Sequence, residues 1–373
     1  MGAEIQQHIT YAVQGGEGMS NGASLHNYAY ACTRVRAKKT RMLKDDDYMR
    51  LASMDLDSVA RYMGESEYRE EIAELARDIS GVNLIEGATD MNLASTYLNV
   101  MKLFNGNDRA MLGYYLNELE LHNLKTIIRG KFRNVDNDDI MSNLIPGGDF
   151  TGRYLNLWKA ASDIPELLRA LEGTRYHKDL TLAIGPDPYI KSTASIEDTL
   201  DKRYYAHVLD SIRDMGSGTK LFRSFIKREI DIRNVITLLR VKFAFDTEKV
   251  ELSPDLIFIP GGQELDVDVL KRLYAITNRR QLLSDLEKYS FGYIISEKSG
   301  EALEVDRPTD IITSLEAHHR KSTGSFATRN PLSILPVIHY LMLKKNEVFN
   351  LRLIARGKER GLSPDKIREL IIT

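Results

Sequence analysis

The sequence predicts an all-α chain built from three tandem helical repeats. Three observations carry that expectation. Apolar residues recur at helical spacing, as in Leu167-Leu168-x-x-Leu171 and Leu282-Leu283-x-x-Leu286, and alternating runs joined by hairpin turns are missing. Only ten prolines occur in 373 residues, and they mark boundaries: Pro146, Pro165, Pro186, Pro188, Pro254, Pro260, Pro308, Pro331, Pro336 and Pro364. One pattern of polar residues also occurs three times along the chain.

Taken in order, residues 1–26 are polar and carry Gly15-Gly16-Glu17-Gly18, so they are expected to be disordered or extended, with Met19 a second candidate start. Lacking Lys, Arg and an apolar core, this leader is not expected to be a signal peptide. Six basic residues follow between Asn27 and Lys44 without an acid: Arg34, Arg36, Lys38, Lys39, Arg41 and Lys44. Tyr28, Ala31, Val35 and Met42 give that stretch an apolar stripe, so it could approach anionic lipid or an acidic protein. Asp45-Asp46-Asp47 cancel half of the local field, which favours a solvated first helix.

The repeats are assigned to residues 27–148, 149–262 and 263–373. Each ends in an acid, an Asn three residues on, an Arg six beyond it and a Lys two later. These are Glu120, Asn123, Arg129 and Lys131; Asp231, Asn234, Arg240 and Lys242; and Glu347, Asn350, Arg356 and Lys358. Other landmarks keep step. Ile85-Glu86 and Ile196-Glu197 lie 37 residues before their Asn, and Leu315-Glu316 lies 34 before the third. Val59, Ala60, Met63 and Tyr68 are echoed by Leu167, Leu168, Leu171 and Tyr176, then by Leu282, Leu283, Leu286 and Phe291. Leu144-Ile145-Pro146-Gly147-Gly148 is echoed by Phe258-Ile259-Pro260-Gly261-Gly262.

On a helix with Leu121 at zero, Leu124, Ile127 and Ile128 fall at roughly 300°, 240° and 340°, an apolar arc. Glu120 and Lys131 fall inside this arc, with Asn123 and Arg129 at its margins. A buried carboxylate costs several kcal/mol unless it is paired, so the repeated acid should meet a cation or backbone donors. The repeated residues Glu120, Asn123, Arg129, Asp231, Asn234, Arg240, Glu347, Asn350 and Arg356 are therefore read as a structural clamp between helices of one repeat. The competing reading is a ring of charge facing a shared axis. Gly130 and Gly357 directly follow the Arg and predict a helix stop.

Composition narrows the function. Charged residues make up 28% and apolar residues 43%, with a net charge of −2, a balance that disfavours a nucleic-acid binder. The single Cys32 sits in a helical, alanine-rich context that favours packing, and one cysteine excludes an internal disulfide framework and a thiolate-rich metal site. The longest apolar stretch, Ile334–Leu343, is ten residues and contains Pro336 and His339, far short of the about 20 a bilayer span needs. Gly216-Ser217-Gly218-Thr219-Lys220 has Thr and Lys in the wrong order for a phosphate loop and reads as a connection. His318-His319 are adjacent and point to different helix faces. Asp136, Asp138 and Asp139 lack the Gly and Glu of a calcium loop and read as a solvated acidic turn. No catalytic residue, metal or cofactor is expected.

Together these motifs resemble the C subunits of the archaeal-type rotary ATP synthases, counterparts of the d subunits in vacuolar proton pumps. The resemblance rests on Tyr28-Ala-Tyr30-Ala31 with Arg34-Val-Arg36-Ala37, the three acid-x-x-Asn helices and the two Ile-Pro-Gly-Gly turns. It extends through the closing run from Pro331-Leu332-Ser333 to Arg356-Gly357-Lys358, and covers about Asn27 to Thr373. It implies a funnel of three similar units around a pseudo-threefold axis, without catalytic activity. That funnel would be a peripheral protein at the cytoplasmic face of the membrane. It would receive the central stalk and sit on the membrane proteolipid rotor ring, transmitting torque for ATP synthesis driven by an ion gradient. Arg34, Arg36, Lys38, Lys39 and Arg41 are then candidates for contact with the ring or another partner. The alternative is a helical-repeat adaptor that binds a partner helix or peptide and has no part in a rotary motor. An RNA-binding helix at Arg34–Lys44 is a third, weaker reading.

Overall fold

A computed structural model describes residues 21–144, 161–185, 193–213, 215, 219–243, 253–305 and 308–372, apart from the side chains of 21–27 and 142. Among the described residues the regular structure is entirely helical, as expected, in 18 helices. The Ile145-Pro146-Gly147-Gly148 turn, Gly216–Gly218 and residues 1–20 lie outside the described residues. The chain forms two compact units. One contains the described residues up to Glu120 and those from Phe326 onward; the other contains Leu121–Leu144 and the described residues from 161 to Ser325.

The first unit opens with α1 (Asn21–Lys39), so residues 21–26, expected to be extended, already belong to a helix. There follow α2 (Asp45–Ser53), α3 (Leu56–Gly64), α4 (Arg69–Leu75) and α5 (Gly81–Met101). The first part of α6 (Gly106–Phe132), the end of α16 (Thr309–Arg329), α17 (Leu335–Glu359) and α18 (Pro364–Leu370) complete it. Its core joins the two ends of the chain. Leu51, Val59, Met63, Tyr68 and Ile85 pack with Leu351, Ile354 and Ile367, all nearly inaccessible to water. The stripe of α1 is covered too: Tyr28, Ala31, Cys32 and Val35 are buried. Tyr28 donates its hydroxyl to Asp108 at 2.5 Å, and the Cys32 thiol reaches the Ser333 carbonyl at 3.4 Å.

The second unit holds the rest of α6, α7 (Asn137–Ser142), α8 (Ile164–Ala170), α9 (Arg175–Ile184), α10 (Ala194–Ser211) and α11 (Lys220–Lys242). It continues through α12 (Pro254–Ile257), α13 (Val267–Ala275), α14 (Arg279–Leu286) and α15 (Gly292–Val305) into α16. Val235, Leu238 and Leu239 of α11 pack with Leu270, Leu282, Leu286, Phe291 and Leu315. Local signals set the boundaries. Asp55, Asp163 and Asp266 cap α3, α8 and α13 by accepting the N–H three residues on, at 2.7–2.8 Å. Pro165, Pro254, Pro336 and Pro364 occupy first-turn positions, where no N–H is needed.

Two local expectations are corrected. Gly130 and Gly357 do not end their helices; α6 continues to Phe132 and α17 to Glu359. Their missing side chain instead lets the returning short helix press against the backbone. A Cβ at Gly130 would overlap the Ile140 side chain of α7, and one at Gly357 would lie 2.9 Å from Ile367 of α18. The acidic stretch after Val135 is a helix start rather than a free turn, because Asp136 caps α7 through the Asp138 N–H at 2.8 Å.

Candidate functional site

The three long helices α6, α11 and α17 place the repeated polar residues. Their apolar arc is buried as the wheel predicts: Leu124 and Ile127, Val235 and Leu238, Leu351 and Ile354 are all at most 2% exposed. Each repeated Asn and acid is also buried, so each must find partners inside the protein.

Two of the asparagines bracket the chain as it returns past its own helix. Asn234 donates to the Ile259 carbonyl and accepts from the Ile259 N–H, both at 2.8 Å. Asn350 does the same to Ile372, at 2.8 and 2.9 Å. A side-chain amide can satisfy both groups of one residue at once, as a neighbouring strand would.

The acids reach further. Asp231 accepts from the backbone N–H groups of Gln263, Glu264 and Leu265 at 2.9–3.1 Å. Burial nevertheless raises its pKa above the usual carboxylate value, outweighing the three donors. Gly262 faces this carboxylate so closely that a Cβ there would overlap it. Glu347 accepts from the Leu43 N–H at 2.8 Å, the Tyr68 hydroxyl at 2.7 Å and the Lys344 ammonium at 2.7 Å. Lys344 also lies 4.2 Å from the centre of the Tyr68 ring. Burial, with the Glu347 charge beside it, holds the Tyr68 phenol firmly protonated. The charged residues were expected to brace helices within one repeat. Glu347, Arg129 and Arg356 reach instead into segments the sequence division assigns to the next repeat, and from the last segment back to the first.

The arginines complete a two-rung ladder that sequence reasoning half missed. Arg356 pairs with Glu86, and four residues earlier Arg352 pairs with Asp90 at 2.5 Å. Arg129 donates to Glu197 at 2.7 Å, and four residues earlier Lys125 pairs with Asp201 at 2.7 Å. The upper rung joins two landmarks of the repeat, the Arg and the Ile-Glu pair. The lower rung was legible as matched i,i+4 spacing, bases at 125/129 and 352/356, acids at 86/90 and 197/201. Burial dominates at Asp90 and lifts its pKa to about 6 despite Arg352.

The repeated lysines continue the theme. Lys358 donates to the Ala52 carbonyl near the end of α2 at 2.7 Å, where the helix has unpaired carbonyls. Lys131 donates to the Ala161 carbonyl and to Asn137. Lys242 instead sits over the Tyr274 ring, 4.6 Å from its centre.

Arg240 departs from the set. It is exposed and makes no ion pair among the described residues, and so does not act as its two counterparts do. Ile236 occupies the place of Lys125 and Arg352, and Arg320 stands four residues after Glu316, where the ladder needs an acid. Helical spacing cannot reveal whether a cognate charge waits across the interface, so the sequence alone grouped Arg240 with the others.

In the basic stretch, Arg34, Arg36, Lys39 and Arg41 are exposed and Lys38 is half-buried. Arg34 donates to the Tyr30 hydroxyl at 2.8 Å, Arg36 to the Pro331 carbonyl at 3.5 Å, and Arg41 pairs with Glu67 at 3.3 Å. His318 meets the Tyr293 hydroxyl at 2.9 Å, while His319 lies against Phe225, so the pair points apart. Among the described residues no group of acids, His and Cys is arranged to hold a metal. No described helix is long and apolar enough to cross a membrane.

These features define an all-helical scaffold braced by polar clamps at its chain returns. Residues 31–370 match the family described as ATP synthase (C/AC39) subunit. The A-type ATP synthase C subunit of Methanosarcina acetivorans is 35% identical over 347 residues, 93% of each chain. The protein of that name from Archaeoglobus fulgidus is 36% identical over 351 residues, 92% of this chain and 96% of its own. That from Haloferax volcanii is 31% identical over 347 residues, 93% of this chain and 98% of its own. The chain belongs to the ATP synthase (C/AC39) subunit family. Its role is that of a non-catalytic coupling subunit between rotor and stalk.

Proposed function

We propose that this chain is the socket that joins the central stalk of an archaeal-type ATP synthase to its membrane rotor ring. In this reading segments 27–148, 149–262 and 263–373 are three helical repeats set around a pseudo-threefold axis as a funnel. The closure of chain end on chain start carries the proposal: α17 grips residues 43–90 through Glu347, Arg352, Arg356 and Lys358. The same device on α6 grips Ala161, Glu197 and Asp201. A protein that transmits torque must keep its register under load. Polar clamps across the chain returns, with a close-packed core, support that stiffness.

Attachment to the membrane sector is polar and peripheral, at the cytoplasmic face. The apolar side of α1 is covered by its own protein, so only its basic face is offered to the ring or another partner. Screening then weakens docking as salt rises. Washing native membranes at high ionic strength should release the chain without detergent, and it should copurify stoichiometrically with stalk and ring proteins at low salt. Retention through high salt until detergent is added overturns the polar docking face. Purification without any other rotary component overturns the socket itself.

A further inference from the structure

Two clefts occupy matching places in the repeat pattern. One, of about 340 Å³, lies beside Tyr68, α5 and α17; the other, of about 710 Å³, lies beside Tyr176, α10 and Leu121 of α6. Their registers agree in detail. Glu71 accepts from Asn92 at 2.9 Å in the first, and Asp179, three residues after its own Tyr, accepts from Arg203 at 2.9 Å in the second. Asn92 and Arg203 each stand 31 residues before the repeated Asn.

A shared fold explains two clefts but not their charge. In the first, Glu67, Glu70, Glu71 and Glu347 balance Lys38, Arg41, Arg69 and Lys344. In the second, Arg175 replaces Glu67, Lys178 replaces Glu70 and Arg203 replaces Asn92. Among the described residues that line it, five cations, counting Arg213 and Arg223, face two carboxylates, Asp179 and Asp210. Both carboxylates are already taken, Asp179 by Arg203 and Asp210 by Arg213 at 2.6 Å. Lys178 and Arg223 are exposed and make no ion pair among the described residues. Beneath them the floor is apolar: Leu121, Leu200 and Tyr204 are each less than 9% exposed.

We propose that this second cleft binds a phosphate-bearing small molecule. A volume within the about 300–1,000 Å³ of small-molecule sites, an apolar floor and the exposed Lys178 and Arg223 at the rim suit a compact anion with an organic body. Arginine forks match phosphate oxygens better than any other common anion apart from carboxylate. A flat acidic protein surface would use the rim and leave the floor empty. The inference does not depend on the coupling role.

Calorimetric titration of the full chain with ATP and with pyrophosphate tests it. At least one probe should saturate below about 1 mM, an ordinary affinity for such a site. Binding should weaken at least about tenfold in Lys178→Glu/Arg223→Glu, with Lys178→Gln/Arg223→Gln as the milder variant should the first fold poorly. Arg69→Glu, in the other cleft, should bind as the unaltered chain does. Absence of heat with both probes, or binding untouched by either double variant, overturns the proposal. So does saturation by polyglutamate alone, which would assign the cleft to an acidic protein segment.

Discussion

Replacing Asn234 with leucine removes one complete bracket and nothing else of that size. Asn234 is 1% exposed, and its two hydrogen bonds, both 2.8 Å, serve the N–H and carbonyl of one residue. That residue, Ile259, is 6% exposed, so water cannot take over either group. An orphaned buried donor or acceptor costs about 1–3 kcal/mol, and two are created. The extra apolar burial of leucine offsets about 1 kcal/mol, leaving a net loss of about 1–5 kcal/mol. Asn234→Asp keeps the acceptor but loses the donor and buries a charge, so it should be no milder. Urea unfolding followed by helical circular dichroism reads the global loss. The chain has two compact units and need not unfold in one step, so amide exchange at Ile259 and Leu265 is the local reporter. Both amides should exchange faster in the variant. An Asn234→Leu protein with the parent's midpoint and unchanged protection at Ile259 refutes the clamp reasoning.

Three further outcomes are expected. Gly130→Ala ordinarily stabilises a helix by about 1 kcal/mol, but here the new methyl meets Ile140, so the sign should reverse to a loss of about 1–3 kcal/mol. Partial rescue by Ile140→Val, seen in thermal unfolding, checks the cause, and a stabilised Gly130→Ala rules it out. Arg356→Ala strips a buried carboxylate, Glu86, of its partner and should cost about 2–4 kcal/mol, whereas Arg240→Ala should stay within about 0.5 kcal/mol. Equal losses for the two in chemical denaturation would refute the asymmetry. His339 is held neutral by burial, then by Lys39, with its pKa lowered from 6.5 to about 4. The unfolded chain therefore binds the extra proton first, and the contribution of His339 to stability, present above pH 6.5, drains away as the pH falls toward 4. His339→Gln should flatten that part of the acid limb, and an imidazole titrating near 6.5 by NMR contradicts the assignment.

Much of the fold was legible because helical periodicity is a local signal. The arc Leu124, Ile127, Leu351 and Ile354 needs only near neighbours in sequence to be read. The repeat likewise singled out Glu347, Asn350 and Arg356, since polar residues inside an apolar arc demand partners. Which partners they take was beyond reach. Tyr68 and Leu43 lie some three hundred residues from Glu347, and a carboxylate accepts a backbone N–H as readily as an ammonium group. The silence of Arg240 and the pressing of Ile140 against Gly130 were equally hidden, because each turns on what a second helix brings to within a few ångströms. Sequence alone thus determined that this chain is helical, thrice patterned and burdened with buried charge. Tertiary structure alone decided where that charge is neutralised, because an ion pair is a matter of distance in space and the sequence records only distance along the chain.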